Sequence, residues 1–213
     1  MQSPLNRYLT AHSTPLPEAL GWIERQTHIH TNYPQMLSGP LQGQLLKMLV
    51  EISGARRVLE IGAFTGYSTA CLAAGLPEDG MVDTLEINDE LEDLCREGWE
   101  RAGLSERISL HIGSALELIP TLEGPYDFIY IDANKREYSE YYEAVMPLLS
   151  PGGLIVTDDV CLGEKVCSDP PATDPQTLGL IRFNETVASD PRVEVVILPI
   201  RDGVSLIRKK LQK

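Results

Sequence analysis

Three aspartates are the residues of this sequence with the most specific potential for chemistry. Asp132 directly follows the apolar run Phe128–Ile131, and Asp158 and Asp159 follow the run Leu154–Thr157. If the two runs are neighbouring parallel strands, the three carboxylates meet at the carboxyl edge of one sheet. Packed carboxylates repel one another and raise each other's pKa values, and a divalent cation with oxygen ligands removes that cost. We therefore predict that these aspartates bind a metal ion, with Mg²⁺ favoured over Ca²⁺ or Mn²⁺; an aspartate that only caps the loop is the alternative.

A lysine close to these aspartates could move a proton. Lys135 lies three residues after Asp132. A lysine beside a bound cation and a positively charged ligand has a depressed pKa, which a general base needs. We therefore predict Lys135 and Asp132 as the catalytic residues; a surface lysine at the start of a helix is the alternative for Lys135.

A glycine-containing turn follows the strand-like run Val58–Ile61, in the segment Gly62-Ala-Phe-Thr-Gly66-Tyr-Ser68. Glycine lets the backbone pass close to a ligand because no Cβ stands in the way. The two glycines are four residues apart and the GxGxxG pattern of dinucleotide sites is absent, which disfavours a nicotinamide dehydrogenase. The turn is more typical of a site for a nucleoside that carries an amino-acid group.

Two further segments are predicted to complete this nucleoside site. Glu86 ends the next strand-like run, where a carboxylate can accept hydrogen bonds from ribose hydroxyls. Its alternative is an acid in the first turn of the following helix. Gly113-Ser114-Ala115 follows the third run and would lie at the adenine, although Ser114 with Glu117 also forms a helix capping box, which explains the serine equally well.

The elements that must position these residues alternate along the chain. Apolar strand-like runs, separated by helical stretches, predict a parallel sheet covered on both faces. The last two runs are joined by only a short turn and must be antiparallel neighbours. The fold class is therefore α/β, a Rossmann-like doubly wound seven-stranded sheet, mostly parallel with one antiparallel strand at the C-terminal hairpin. The predicted strands are Val58–Ile61, Met81–Ile87, Ile108–Ile112, Phe128–Ile131, Leu154–Thr157, Val193–Ile200 and Val204–Arg208; the predicted helices are Pro17–His30, Leu41–Ile52, Ser68–Ala74, Asp89–Ala102, Ala115–Ile119, Glu137–Leu149 and Leu178–Ser189.

The composition is that of one globular domain, which we expect to span residues 1–213. Residues 1–53 would supply helices on the substrate side and residues 54–213 the Rossmann-like core. With 18 basic and 31 acidic residues the net charge is −13, which disfavours a nucleic-acid partner.

No apolar run is long enough for a membrane span and the N-terminus lacks a signal-peptide pattern, so a cytoplasmic location is expected. The four cysteines lack metal-site spacing and are expected to be free thiols, with a Cys161–Cys167 disulfide as the less favoured alternative.

Several stretches together resemble the cation-dependent O-methyltransferases of the catechol and caffeoyl-coenzyme-A type. The matching stretches, which span about Tyr33 to Arg208, are Met36-Leu-Ser-Gly-Pro-Leu-Gln42-Gly, Leu59-Glu-Ile-Gly-Ala-Phe-Thr-Gly-Tyr-Ser68, Ile131-Asp-Ala-Asn-Lys135, Thr157-Asp158-Asp159, and Asp190-Pro-Arg with Pro199-Ile-Arg-Asp-Gly203. The resemblance implies S-adenosylmethionine as the cofactor. The residues expected to bind it are Met36, Glu60, Gly62, Ala63, Phe64, Thr65, Tyr67, Ser68, Glu86, Ser114, Ala115 and Asp132.

The sequence departs from the family pattern at four positions. Asp159 stands where an asparagine is usual, Leu162 where a tryptophan is frequent, and Ser114 and Asn134 where acids are frequent. The extra carboxylate of Asp159 adds negative charge to the predicted metal site. The leucine makes the substrate wall less aromatic than the resemblance implies.

The function expected from the residues and the resemblance is divalent-cation-dependent methylation of an oxygen on a catechol-like, small phenolic molecule. The loops Tyr33–Gln42 and Cys161–Asp174 are expected to shape the acceptor pocket. No basic cluster suited to a coenzyme-A phosphate is visible near them, which favours free phenols. The alternatives are a metal-independent methyltransferase acting on another small acceptor and a non-catalytic S-adenosylmethionine-binding protein. The resemblance also implies a homodimer.

Overall fold

A computed structural model describes residues 4–211; residues 1–3 and 212–213, which the predicted domain 1–213 includes, lie outside this part. The α-helices of the described residues are α1 (Pro4–Ala11), α2 (Glu18–His30), α3 (Gly39–Ser53), α4 (Tyr67–Ala74), α5 (Glu92–Arg101), α6 (Ala115–Leu118), α7 (Tyr138–Val145) and α8 (Pro175–Ser189). The strands are β1 (Arg57–Ile61), β2 (Met81–Glu86), β3 (Ile108–Ile112), β4 (Tyr126–Ile131), β5 (Leu149–Thr157), β6 (Val193–Leu198) and β7 (Val204–Lys209). Within the described part of the chain, none of the helices has the length and apolar character needed to cross a bilayer.

The seven strands form one sheet in the order β3-β2-β1-β4-β5-β7-β6. The pairs among β1 to β5 are parallel, whereas β7 runs antiparallel to both of its neighbours, β5 and β6. The predicted fold class is therefore confirmed, including the single antiparallel strand at the C-terminal hairpin. Ile131 of β4 pairs with Thr157 of β5, so these two strands end level with each other.

Helices cover both faces of the sheet because the central strands alternate their apolar side chains between two cores. Val58 of β1 packs into the core with α2, α3, α4 and α5, where Trp99 is among the largest buried side chains. Leu59, its neighbour in β1, packs into the opposite core with α7 and α8, where Tyr142 and Phe183 meet edge to face. The near-continuous apolar runs of the sequence thus reflect strands that are buried on both sides.

The structure corrects several predicted boundaries. Helix α1 was not predicted; its apolar residues Leu5, Tyr8 and Leu9 share one face at helical spacing, but none of its residues is buried. Helix α7 ends at Val145, short of the predicted Leu149, because Leu149 instead begins β5 and pairs with Tyr126. Helix α8 begins at Pro175, three residues before the predicted Leu178, since the Asp174 side chain accepts a hydrogen bond from the amide of Thr177. The four cysteines are free thiols.

Gly66, which precedes α4, provides a test of how tightly the turn after β1 is packed. Its φ is +79°, and a Cβ at this position would lie 2.6 Å from Nε1 of the Trp99 indole, which itself donates to the Gly66 carbonyl. Gly54 has a similar φ of +66° but open space around its Cβ position. Gly54→Ala should therefore cost only the left-handed backbone strain, about 1 kcal/mol. Gly66→Ala should cost about 3 kcal/mol in the free energy of unfolding because overpacking is added to that strain.

Urea unfolding of the two variants and the unmodified protein measures this difference. Equal destabilisation by the two alanines would show that the indole moves aside without cost, and would contradict the tight packing between α4 and α5.

Candidate active site

A cavity of about 430 Å³ opens at the carboxyl ends of β1, β2 and β4. This is the edge of a doubly wound sheet where ligands are expected to bind. Most of the residues predicted from the sequence line it: Met36, Gly62, Ala63, Phe64, Thr65, Tyr67, Ser68, Glu86, Ser114, Ala115, Asp132, Lys135 and Asp159. The two other predicted residues, Glu60 and Asp158, are buried and do not line the cavity.

The turn between β1 and α4 is held tightly at its first glycine. Gly62 has a φ of +100° and a Cβ there would collide with the main-chain carbonyl of Asp132. Its amide donates to the carbonyl of Leu85 in β2 at 2.9 Å. The turn is therefore fixed against both neighbouring strands, and only glycine fits. This explains why a ligand in the cavity can approach the backbone here.

Glu86 is fixed by the same turn. One carboxylate oxygen accepts from the amide of Phe64 at 2.7 Å and the other accepts from the amide of Asn88 at 2.9 Å. Glu86 is the last residue of β2 and precedes the helical turn that begins at Asp89. Its position at the cavity wall corresponds to the strand-end carboxylate predicted for ribose hydroxyls, and not to a first-turn acid.

Glu60 is fully buried on the α4 side of β1. One of its carboxylate oxygens accepts hydrogen bonds from the hydroxyls of Thr69 and Thr84, while the other, Oε1, has no partner among residues 4–211. Burial raises the pKa of Glu60 from 4.5 to about 7, although hydroxyl hydrogen bonds act in the opposite direction. The Glu60 carboxylate therefore links β1 to Thr69 of α4 and to Thr84 of β2.

Ser114 and Ala115 line the cavity where the adenine contact was predicted. The capping box predicted for this segment is wrong, because the Ser114 side chain makes no capping hydrogen bond. The Ser114 carbonyl instead accepts from the amides of Glu117 and Leu118, which close the single turn of α6. Capping therefore does not account for this serine.

The predicted meeting of Asp132, Asp158 and Asp159 is confirmed. One carboxylate oxygen from each lies within 4.8 Å of the others. Asp158 is only 3% exposed, and burial together with the charges of Asp132 and Asp159 raises its pKa to about 7. Asp158 also accepts a hydrogen bond from the amide of Asp159, so it stabilises the loop as well. Oxygen ligands held together against their own repulsion fit a hard divalent cation.

Lys135 lies within the acidic cluster. Its ammonium is 2.6 Å from an oxygen of Asp132 and 3.0 Å from an oxygen of Asp159. Burial lowers the pKa of Lys135, but Tyr138 and the two carboxylates outweigh burial and raise it well above its usual value. The depressed pKa predicted from the sequence is therefore not a property of the protein alone. That prediction assumed nearby positive charge, which the described residues do not provide.

Two residues that were not predicted as site residues orient Asp158. The side-chain amide nitrogen of Gln42 in α3 donates to Asp158 at 2.6 Å and to the Tyr130 hydroxyl at 3.1 Å. Gln42 belongs to one of the stretches that carry the family resemblance, but no spacing in the sequence connects it with an aspartate 116 residues later. Gly113, predicted with Ser114 and Ala115, also lines the cavity, and further cavity residues that were not predicted for the site are Leu37, Ser38, Ile61, Leu85, Ile87, Ala133, Asn134, Glu137 and Tyr141.

Comparisons with known proteins agree with this geometry. A sequence profile of the O-methyltransferase family matches residues 10–210. The chain is 36% identical over 182 residues to catechol O-methyltransferase of Niastella koreensis, which covers 81% of this chain and 82% of that protein. It is 32% identical over 204 residues to caffeoyl-CoA O-methyltransferase 5 of Nicotiana tabacum, covering 91% and 85%. The solved structure of an O-methyltransferase from Bacillus cereus in complex with SAH superposes with a TM-score of 0.91 at 34% identity, covering 98% of each chain. The resemblance predicted from the sequence is confirmed.

Glu60 should make the stability of the protein depend on pH. The unfolded chain releases its proton near pH 4.5, whereas the folded protein retains it up to about pH 7. The unfolded state therefore binds fewer protons in this window, and the contribution of Glu60 to stability is lost as pH rises through it. The loss should reach about 3 kcal/mol at pH 7 and above.

The measurement is urea unfolding of the unmodified protein and of Glu60→Gln between pH 4 and pH 8. The difference in unfolding free energy between the two proteins should change in favour of the glutamine as pH rises. A constant difference across this range would mean that Glu60 ionises in the folded protein near its usual pKa.

Proposed function

The chain belongs to the O-methyltransferase family and is an S-adenosylmethionine-dependent enzyme of its catechol and caffeoyl-CoA type; we propose that its acceptor is a small catechol-like phenol and that transfer requires a divalent cation. The observation that carries this proposal is that Asp132 belongs to both the cavity and the acidic cluster. This residue lines the cavity beside the glycine turn and also belongs to the acidic cluster. A methyl donor and an acceptor oxygen bound at these two places would meet, and alignment is the main requirement of the reaction.

The cofactor half of the cavity has the groups that the donor requires. The glycine turn at Gly62 allows close approach of the amino-acid part, and Glu86 can accept from the ribose hydroxyls. Ser114 and Ala115 lie where the adenine would fit. The SAH-bound structure from Bacillus cereus supports this assignment because the two folds superpose over almost their whole length.

The metal half of the site would be formed by Asp132, Asp158 and Asp159. A bound cation supplies Lewis acidity, which lowers the pKa of a coordinated hydroxyl. Lys135 would take the acceptor's proton on its Nζ atom. The two carboxylates that raise its pKa are the proposed metal ligands, so once their charge is neutralised the lowering effect of burial prevails. Its contacts with Asp132 and Asp159 place Nζ at the proposed metal site, where the acceptor oxygen would bind.

The charges of the cavity support a small free phenol over a heavily phosphorylated acceptor. Four carboxylates line it, from Glu86, Asp132, Glu137 and Asp159, whereas Lys135 is the one basic side chain among the described lining residues. The charge of a phosphate-bearing acceptor would be repelled by this excess of acids. The relatives include a catechol and a caffeoyl-CoA O-methyltransferase, and the charge of the cavity supports an acceptor of the smaller kind.

We also infer a homodimer, as the family resemblance implied. The edge strand β6 exposes Val195, Val196 and Ile197, and an exposed apolar edge favours association. Sedimentation of the purified protein tests this inference.

A methylation assay over a panel of phenols tests the proposed function. The panel should contain catechols, monophenols and a catechol thioester of coenzyme A, each with S-adenosylmethionine and either added Mg²⁺ or EDTA. We expect turnover of free catechols that EDTA abolishes and Mg²⁺ restores. Turnover that is insensitive to EDTA would favour the metal-independent alternative, and binding of SAH without any turnover would favour the non-catalytic one.

Lys135→Met should lose turnover without losing the cofactor. The change keeps the length of the side chain and removes the proton acceptor, so kcat should fall about 100-fold or more while the Kd for SAH stays close to that of the unmodified protein. Lys47→Met is the matched control, since Lys47 does not line the cavity and its one ion pair among the described residues is with Glu51, one turn further along α3. Near-normal turnover of Lys135→Met would remove this lysine from the mechanism.

A further inference from the structure

The segment Tyr33–Ser38 forms one wall of the cavity, and its first half is exposed. Met36, Leu37 and Ser38 line the cavity. Tyr33 and Met36 are 62% and 56% exposed, whereas Leu37 and Ser38 at the end of the segment are buried. The main-chain amides of Met36 and Leu37 bond only locally, to the carbonyls of Tyr33 and Pro34. The exposed half of the segment is therefore expected to open easily unless a side chain from elsewhere holds it.

One side chain from the C-terminal hairpin, which is distant in sequence, forms hydrogen bonds with this segment. Arg201 lies in the turn between β6 and β7, and its Nη1 donates to the carbonyls of Leu37, at 2.8 Å, and of Ser38. Its Nη2 is 3.4 Å from the carbonyl of Gln35. Within residues 4–211 no carboxylate forms an ion pair with this guanidinium. The planar guanidinium of Arg201 therefore forms charge-assisted hydrogen bonds with main-chain carbonyls.

The next residue of the same turn, Asp202, forms hydrogen bonds with the loop that follows the acidic cluster. The Asp202 carboxylate accepts from the amide of Gly163 at 2.9 Å, and its carbonyl accepts from the amide of Cys161 at 2.7 Å. This loop continues directly from Asp159. The hairpin turn thus holds both the wall on the cofactor side and the loop on the acceptor side.

We propose that Arg201 is a positioning residue that keeps the segment Gln35–Ser38 closed over the cofactor cavity, so that the cofactor binds a preformed wall. The proposal rests on the proposed function for the identity of the ligand. We call the Arg201 hydrogen bonds to this segment the clamp. If the segment is closed only a tenth of the time without the clamp, the apparent Kd of the cofactor rises about tenfold. The residues that carry out the chemistry are untouched, so kcat at saturating cofactor should change less than KM.

Arg201→Ala and Arg201→Lys test the clamp, with Arg208→Ala as the matched control. Arg208 lies in β7 of the same hairpin, and its one ion pair within residues 4–211 is with the exposed Glu194, at 4.0 Å. Three measurements are needed: the Kd for SAH by calorimetry, amide hydrogen exchange of residues 33–38 without ligand, and urea unfolding. We expect both Arg201 variants to raise the Kd about tenfold and to accelerate exchange at Met36 and Leu37, because lysine cannot reproduce the fork. Arg208→Ala should change neither quantity.

The outcomes separate the clamp from a general structural role and from the proposed function. Unchanged exchange at residues 33–38 in Arg201→Ala would overturn the clamp, as would faster exchange spread over the whole chain with a matching loss in urea stability. Faster local exchange with an unchanged Kd would overturn the positioning role. If the unmodified protein does not bind SAH, the proposed function fails, while the exchange measurement still decides whether Arg201 holds the segment.

Discussion

The confinement of three carboxylates at the carboxyl ends of β4 and β5 is the constraint on which the rest of the site depends. The strands end level, so Asp132 and Asp158 leave the sheet side by side, and Asp159 follows directly. Asp158 is almost fully buried, where a carboxylate needs hydrogen bonds or a cation to stay ionised. Gln42 supplies one such bond from α3, and the ammonium of Lys135 neutralises part of the remaining charge. Helix α3 is thereby connected to the acidic cluster through the hydrogen bond from Gln42 to Asp158.

The cofactor turn and the acidic cluster are parts of one rigid unit. The Asp132 amide donates to the carbonyl of Ile61 at 2.9 Å, and the Asp132 carbonyl occupies the space that a Cβ on Gly62 would need. Because β1 and β4 are adjacent parallel strands, neither residue can move without the other. The distance between the two ligand positions is therefore set by backbone hydrogen bonds of the sheet, which fix it more firmly than side-chain contacts would. Precise alignment of donor and acceptor requires this kind of support.

The features that the sequence predicted correctly are those whose physical cause is local or topological. Strands buried on both faces produce continuous apolar runs, and the residues that end such strands must meet at one edge, so Glu86 and Asp132 could be assigned from their positions alone. Tertiary contacts were beyond this reasoning: nothing in the spacing of residues indicates that Gln42 reaches Asp158 or that Arg201 reaches Leu37. The start of β5 was missed for a related reason, since its first residues pair with β4 despite a Pro-Gly-Gly sequence that is typical of a turn.

The surroundings of Lys135 show how the proposed mechanism depends on charge balance. The sequence argument considered the positive charges expected around the lysine, whereas the protein surrounds it with carboxylates and a phenol that raise its pKa. Burial acts in the opposite direction on the same side chain, so the two influences are set against each other. With the carboxylates uncompensated, Lys135 is a counterion that limits repulsion within the cluster. In the proposed mechanism a bound cation would neutralise their charge, burial would prevail, and the amine would be able to accept a proton. The same side chain would then serve stability in one state and proton transfer in the other.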